Sequence, residues 1–313
     1  MAGYLVRRLV RMLMALFGVS AIIFLIMRLL PGDPAQLILG EFATEEALAQ
    51  LRRSLGLDQP LWKQFVDYWG QLARGDFGRS LVTRRPVVED VFQAFPYTLQ
   101  LAFASLIVAV LAGVPIGVVS ALRRNSLLDR ASMLLALIGV AGPDFWYGIL
   151  GLLVFSTWLG WYPLLGTSLA GGSGAALKYV FLPAAVLGFS MAGLIARITR
   201  SSLLEELGRD YTRTARAKGL AEHVVTIKHA LRNALIPLVT VVGSNVGRLL
   251  GGTVIIEVTF VRPGLGQLLM QSIMQRDYPV IQGLTLFFAA MVILVNFLID
   301  LSYRILDPRM EYR

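Results

Sequence analysis

The chain has 313 residues, 56% of them hydrophobic, with a formal net charge of +9 and no cysteine. A soluble domain averages roughly 45–50% apolar, so the composition argues against an ordinary soluble protein, and the lack of thiols excludes disulfides and thiolate metal sites. The positive excess does not call for nucleic acid: no basic stretch is interleaved with base-stacking aromatics, and membrane proteins concentrate Lys and Arg on cytoplasmic loops.

Residues 1–34 combine a basic start with an apolar stretch from Leu9 to Leu30. A cleaved signal peptide would have an apolar core of about 7–15 residues and a small-x-small site. This stretch is longer and runs into Pro31-Gly32-Asp33-Pro34, so it reads as an uncleaved membrane helix. In the following segment, 31–96, Thr44 before Glu45 and Glu46 reads as a helix N-cap with acids in the first turn. Leu48, Leu51 and Leu55 form its stripe and Gly56 its end. Pro60 is expected at the first position of a second helix, with Leu61, Phe65, Tyr68 or Trp69, and Leu72 on its apolar face. Gly75, Gly78 and Pro86 punctuate the rest. The segment reads as a small helical cap on the outer face, either packing over helix ends or docking an external partner.

Apolar segments of bilayer-crossing length follow at about 97–121, 130–159, 179–199, 234–256 and 280–303, making six with the first. The third is interrupted by Gly139, Gly142, Pro143 and Gly148, and a kink or break is expected there; such a break survives in a membrane only where protein or a wet cavity covers it. The fifth carries Gly243, Ser244, Gly247, Gly251 and Gly252, residues that allow close helix approach. Arg7, Arg8 and Arg11, then Arg123, Arg124 and Arg130, then the basic residues from Arg197 to Arg232, then Arg304, Arg309 and Arg313 fall on one side. The positive-inside rule makes that side cytoplasmic, with both termini inside.

The stretch from Asp210 to Leu238 is polar and basic between two apolar segments. Asp210 is expected to cap a short helix running to Lys218, which Gly219 ends. A second helix starts near Ala221, with Val224, Ile227 and Leu231 on one face, as Tyr211 and Ala215 share a face of the first. A helix–turn–helix with an apolar stripe and a basic rim suits docking to a cytoplasmic partner, although packing on its own helix ends would produce the same pattern.

This stretch resembles the coupling loop of ABC importer permeases, in the variant of the dipeptide, oligopeptide, nickel and glutathione family. Leu30-Pro31-Gly32-Asp33-Pro34, Leu55-Gly56-Leu57-Asp58-Gln59-Pro60, Gly75-Asp76-Phe77-Gly78-Arg79-Ser80, Pro263-Gly264-Leu265-Gly266, Arg276-Asp277-Tyr278-Pro279, Asn296, Asp300 and Asp307-Pro308-Arg309 resemble the same family in order. The general pattern's Glu-Ala-Ala is replaced by Arg213-Thr214-Ala215 and its Ile-x-Leu-Pro by His229-Ala230-Leu231-Arg232. Gly219 is retained, and these departures belong to the peptide subgroup.

The resemblance implies an all-α, polytopic type I importer fold of six transmembrane helices in the inner membrane of a bacterium, of the first-permease kind in a heterodimer. The expected divisions are an N-terminal helix at 1–30, the outer cap at 31–96 and a permease core at 97–313 with its coupling element at 205–234. Implied partners are a second homologous permease, two ATP-binding cassette subunits, an extracytoplasmic substrate-binding protein and the bilayer. ATP and Mg would be bound by those cassette subunits, with no cofactor and no catalytic residue in this chain. In agreement, none of the four lysines follows a glycine, so there is no phosphate-binding Gly-x-x-x-x-Gly-Lys loop. Asp210, Thr214, Ala215, Lys218, Gly219, Leu220, His229 and Arg232 are the implied coupling residues.

Peptides or glutathione are the implied cargo, since Arg79-Ser80 and Arg84-Arg85-Pro86-Val87 resemble the glutathione and dipeptide members. Nickel or another small solute is the alternative within the family, and an ATP-independent secondary transporter the alternative outside it. Asp144 and Arg248 depart from a family pattern that is neutral at both places. Each costs roughly 2.5–3.5 kcal/mol at the bilayer centre. They form a structural salt bridge, or line a substrate pathway that meets the charged ends of a peptide, or else face separate waters or the partner permease. His223 and His229 lack the acidic neighbours of a metal site, and the acids Asp144, Glu257 and Asp300 are too scattered for a membrane-embedded enzyme.

Overall fold

The computed structural model describes residues 2–29, 34–39, 43–54, 56–162 and 173–306. The motif at 30–33, Leu55 and the tail motif at 307–309 lie outside the described residues, as do the side chains of Asp300 and Arg304. The chain divides into two compact units, Met1–Pro96 with Gly264–Phe297, and Tyr97–Pro263 with Leu298–Arg313. The described residues are helical apart from turns and one isolated antiparallel bridge, Arg79 to Pro86.

In the first unit, α1 (Ala2–Leu29) is the expected first span. After α2 (Pro34–Leu39) comes α3 (Glu45–Ser54), where the Thr44 hydroxyl accepts a 3.3 Å hydrogen bond from the Ala47 amide, as the cap pattern predicts. Gly56, at φ +65°, ends it, in a left-handed conformation that favours glycine. Helix α4 (Leu61–Ala73) starts one residue later than expected, with Pro60 as its cap and Leu61 first. Its aromatic face turns toward α1: Phe65 packs edge-on against Phe17 at 5.7 Å, and Tyr68 stacks on Phe24 at 5.9 Å. The unit's core joins Val87 and Val91 from the start of α5 (Val87–Leu122) to Leu265 of α12 (Leu265–Met274) and to Val280 and Leu284 of α13 (Tyr278–Leu306). Helix α5 therefore begins ten residues before the apolar segment expected at 97, because Val87 and Val91 bury one face in this core while acids occupy the first turn.

The second unit is built around α8 (Ser173–Leu207). Of the stretch Tyr179–Leu207, 67% of the most apolar window is buried, against 17–28% in the other four single-helix spans, so α8 is the central helix. Glycines let α5 reach it. A Cβ on Gly113 would lie 2.7 Å from the Ala192 carbonyl oxygen, and one on Gly117 would lie 2.6 Å from that of Ala196. The expected break in the third segment is present. Helix α6 (Leu127–Ala141) and α7 (Asp144–Leu152), the latter continued by a π-helical turn at Leu153–Trp158, meet at 105° across Gly142–Pro143. Pro143 has no N–H to extend α6, and Tyr147 folds back so that its hydroxyl donates to the Ile138 carbonyl.

The fifth segment runs as α11 (Arg232–Thr259). Of its small residues, Gly252 makes a close approach, 2.9 Å from the Leu187 methyl to an added Cβ, whereas Gly251 has nothing within 4 Å. Five described helices are long and apolar enough to cross a membrane, and the bent pair makes a sixth.

Candidate functional site

The stretch after α8 forms α9 (Asp210–Ala217), a turn through Gly219 at φ +80°, the short α10 (Glu222–Val224), and a π-helical segment at Val225–Leu231 that runs into α11. Arg209, not Asp210, is the cap residue of α9. Asp210 is the first helical residue and its charge faces the positive end of the helix. The cap carbonyl is used instead: the buried Thr212 hydroxyl donates to the Arg209 carbonyl at 2.6 Å.

The second half departs from the expected register. An α-helix would bury Val224, Ile227 and Leu231, but Ile227 is 62% exposed. Val225 and Ala230 are both fully buried, five residues apart. That is the i to i+5 repeat of a π-helix, and it turns Val225 and Thr226 inward. Ala230 and Ala234 then close a small core with Ala121 of α5 and Leu203 of α8.

Polar contacts fasten the element. Arg216 forks onto Glu222 at 3.0 and 2.7 Å and also donates to the Leu207 carbonyl at 3.3 Å. The Glu222 carboxylate raises the Arg216 pKa above its ordinary value. The Tyr211 hydroxyl donates to Glu206 and accepts from the Asn233 amide at 3.1 Å. Partial burial and the Glu206 carboxylate raise its pKa. Of the expected coupling residues, Asp210, Thr214, Lys218, Gly219, Leu220 and Arg232 are exposed, while Ala215 is buried and packs inward. His229 and Arg232 stand apart from the α9 edge. With Tyr211, Lys228, Asn233 and Ile236 they line a hollow of about 450 Å³.

Asp144 opens α7 immediately beyond the bend, and Arg248 is exposed on α11. The two come near each other: a Cβ on Gly252, one turn beyond Arg248, would lie 3.6 Å from an Asp144 carboxylate oxygen. They do not close into an ion pair within 4.0 Å. Among the described residues, no group of three or more His, Asp or Glu could hold a metal ion.

Two polar clusters escape a reading of local sequence. Asp129 is buried and receives Arg200 bidentately at 2.7 and 2.8 Å, the Asn125 amide at 2.8 Å and the Ser120 hydroxyl. One carboxylate thus ties α5, α6 and α8 together. In the turn after α11, the buried Arg262 donates to Gln100 at 2.7 Å. Tyr162 donates to the Tyr179 carbonyl at 2.9 Å, and desolvation pushes its pKa up to about 12.

Comparison with known proteins places this geometry. Residues 113–312 match the family described as binding-protein-dependent transport system inner membrane component, and residues 1–102 match the family described as the N-terminal part of the membrane component of such systems. The chain is 43% identical over 313 residues to the glutathione transport system permease protein GsiC of Escherichia coli strain K12, covering all of both chains. It is 44% identical over the same length to GsiC of Salmonella typhi. A crystal structure of an amino acid ABC transporter with histidines superposes with a TM-score of 0.53 at 15% identity, covering 69% of this chain and 94% of that one, which supports the type I importer fold. The chain belongs to the inner membrane components of binding-protein-dependent transport systems, as a multi-pass permease of an ABC importer rather than a catalytic subunit.

Proposed function

We propose that this permease carries glutathione or short peptides inward, driven by ATP hydrolysis in two separate cassette subunits and paired with a second, homologous permease. The observation that carries the reading is the end-to-end match to glutathione permeases, with no gap in coverage of either chain. The exposed edge of α9, from Asp210 through Thr214 to Lys218, Gly219 and Leu220, is the surface offered to a cassette subunit. It is short, capped and cross-braced, so a push on it moves a rigid body. Motion there reaches α11 through the π-helical segment, without a flexible linker. Both termini lie on the cytoplasmic side in this reading, supported by the loop charges. An external binding protein delivers cargo on the opposite side.

Asp144 and Arg248 are the pathway pair. Their charges are opposite, lie in one unit and are not consumed by each other, so they can meet the ammonium and carboxylate groups of a peptide.

The test is uptake by the reconstituted complex of both permeases, the cassette subunits and the binding protein. Labelled glutathione, a labelled dipeptide and nickel are compared with and without ATP. ATP-dependent accumulation of glutathione or the dipeptide is the expected result. Accumulation without ATP would make the chain a secondary transporter, and nickel alone would make it a metal permease. Asp144→Asn and Arg248→Gln should each lower uptake with assembly intact. Unchanged uptake in both removes the pathway role while leaving the transporter assignment standing.

A further inference from the structure

Arginines of the coupling element have acids to hold. Arg209 lies 2.6 Å from Glu205, Arg213 3.6 Å from Asp210, and Arg216 2.7 Å from Glu222. Lys228 and Arg232 break this pattern. Among the described residues neither has a carboxylate within 4.0 Å, although both line the same hollow with Tyr211, His229, Asn233 and Ile236. The acids beside Tyr211 are already engaged: Asp210 faces Arg213, and Glu206 takes the Tyr211 hydroxyl and faces Arg209 at 3.7 Å. The hollow therefore presents two uncompensated cations.

The same helix face changes character directly above them. Arg232, Ile236 and Val239 follow one another at helical spacing, with Ile236 66% and Val239 52% exposed. Here the polar element gives way to an apolar helix, so the cations stand at a membrane–water boundary with an uncovered apolar stripe running into the membrane from them. An acidic protein segment would match the cations but has no use for the stripe. An amphiphile with an anionic head and an apolar tail matches both.

We infer that the hollow at the foot of α11 binds an anionic phospholipid, its phosphate held by Lys228 and Arg232 and its acyl chain laid along Ile236 and Val239. Arginine suits the phosphate because its planar fork can donate two parallel hydrogen bonds, and lysine adds charge at short range. A volume of about 450 Å³ is within the usual range for a small-ligand site.

The experiment uses the assembled transporter in phosphatidylcholine vesicles and titrates spin-labelled phosphatidylglycerol, reading the motionally restricted fraction. Lys228→Gln with Arg232→Gln should weaken binding about thirtyfold, at about fivefold per charge. Lys228→Arg with Arg232→Lys should keep most of it. Arg123→Gln with Arg124→Gln, which neutralises an exposed basic pair elsewhere, should leave it unchanged. If the double glutamine variant does not assemble, Arg232→Gln alone should show the fivefold loss. Equal affinity in the wild type and the glutamine variants of Lys228 and Arg232 overturns the proposal, as does an equal loss in the Arg123/Arg124 control. Displacement of the lipid by inorganic phosphate at matched concentration would reduce the site to one for free anions. Loss of cassette subunits with lipid binding intact would make the hollow a protein-docking surface instead.

Discussion

The Ser80 hydroxyl donates a 2.5 Å hydrogen bond to the carboxylate of Asp277, 197 residues further along the chain, and both side chains are buried. Asp277 also accepts the Leu81 amide at 3.0 Å, while the Ser80 oxygen accepts the Val82 and Thr83 amides at 3.2 and 2.8 Å. The loop that presents Arg84 and Arg85 is therefore pinned at its base by an acid from a distant segment. Asp277→Ala would leave the Leu81 amide without its acceptor, at about 1–3 kcal/mol. Faster proteolysis at 81–85 and a lower melting temperature are expected, with Asp277→Asn intermediate. A wild-type melting curve for Asp277→Ala would show that the loop holds itself.

Asp129 carries more of the fold than its position at a helix start suggests. Asp129→Asn would leave the Arg200 guanidinium partly buried beside a neutral amide, without its charged partner. Thermal unfolding of the detergent-purified chain should show a far larger loss than for Arg213→Gln, whose ion pair with Asp210 is solvated on both sides.

Two glycine-to-alanine changes should move in opposite directions. At Gly117 the new methyl would press on the Ala196 carbonyl and on Thr199 at 2.6 Å, forcing α5 off α8 at about 1–3 kcal/mol. At Gly251 the methyl would meet nothing within 4 Å, so the helix gains about 0.5–1 kcal/mol from the better helix former. Paired melting curves would decide this.

Gly219 sits at φ +80° with nothing within 4 Å of an added Cβ. Gly219→Val meets backbone strain of about 1–3 kcal/mol and puts bulk on the surface offered to a cassette subunit. ATP-driven uptake should fall and cassette subunits should co-purify poorly, while Gly219→Asn, which tolerates this backbone region, should retain both. Retention in the valine variant would move the docking contact elsewhere.

Much of the architecture was legible because it rests on local chemistry. Apolar runs located the spans, Gly142-Pro143 marked the break, Thr44 its helix start and Gly219 the turn. What was not legible depends on partners far apart in sequence or on counting residues per turn. Ser80 and Asp277 each fell in a recognisable outer motif, but nothing in either motif names the other. Asp129 looked like an ordinary acid in a first helical turn until Arg200 met it. Val224, Ile227 and Leu231 formed a persuasive stripe only under α-helical counting, and the five-residue repeat of Val225 and Ala230 hid the true face. The spacing of Val225 and Ala230, both small or β-branched and apolar, was the available signal.

The right-angled bend at Gly142–Pro143 has one more consequence. The last carbonyls of a helix have no donors further along it, and hydrocarbon cannot supply any. A bend of 105° in the third span, with Asp144 on its far side, therefore cannot face bare hydrocarbon. The chain meets part of that demand itself, since Tyr147 donates to the Ile138 carbonyl and Gly148 lies against Thr259 and Phe260, and any carbonyl still open has to face protein or enclosed water.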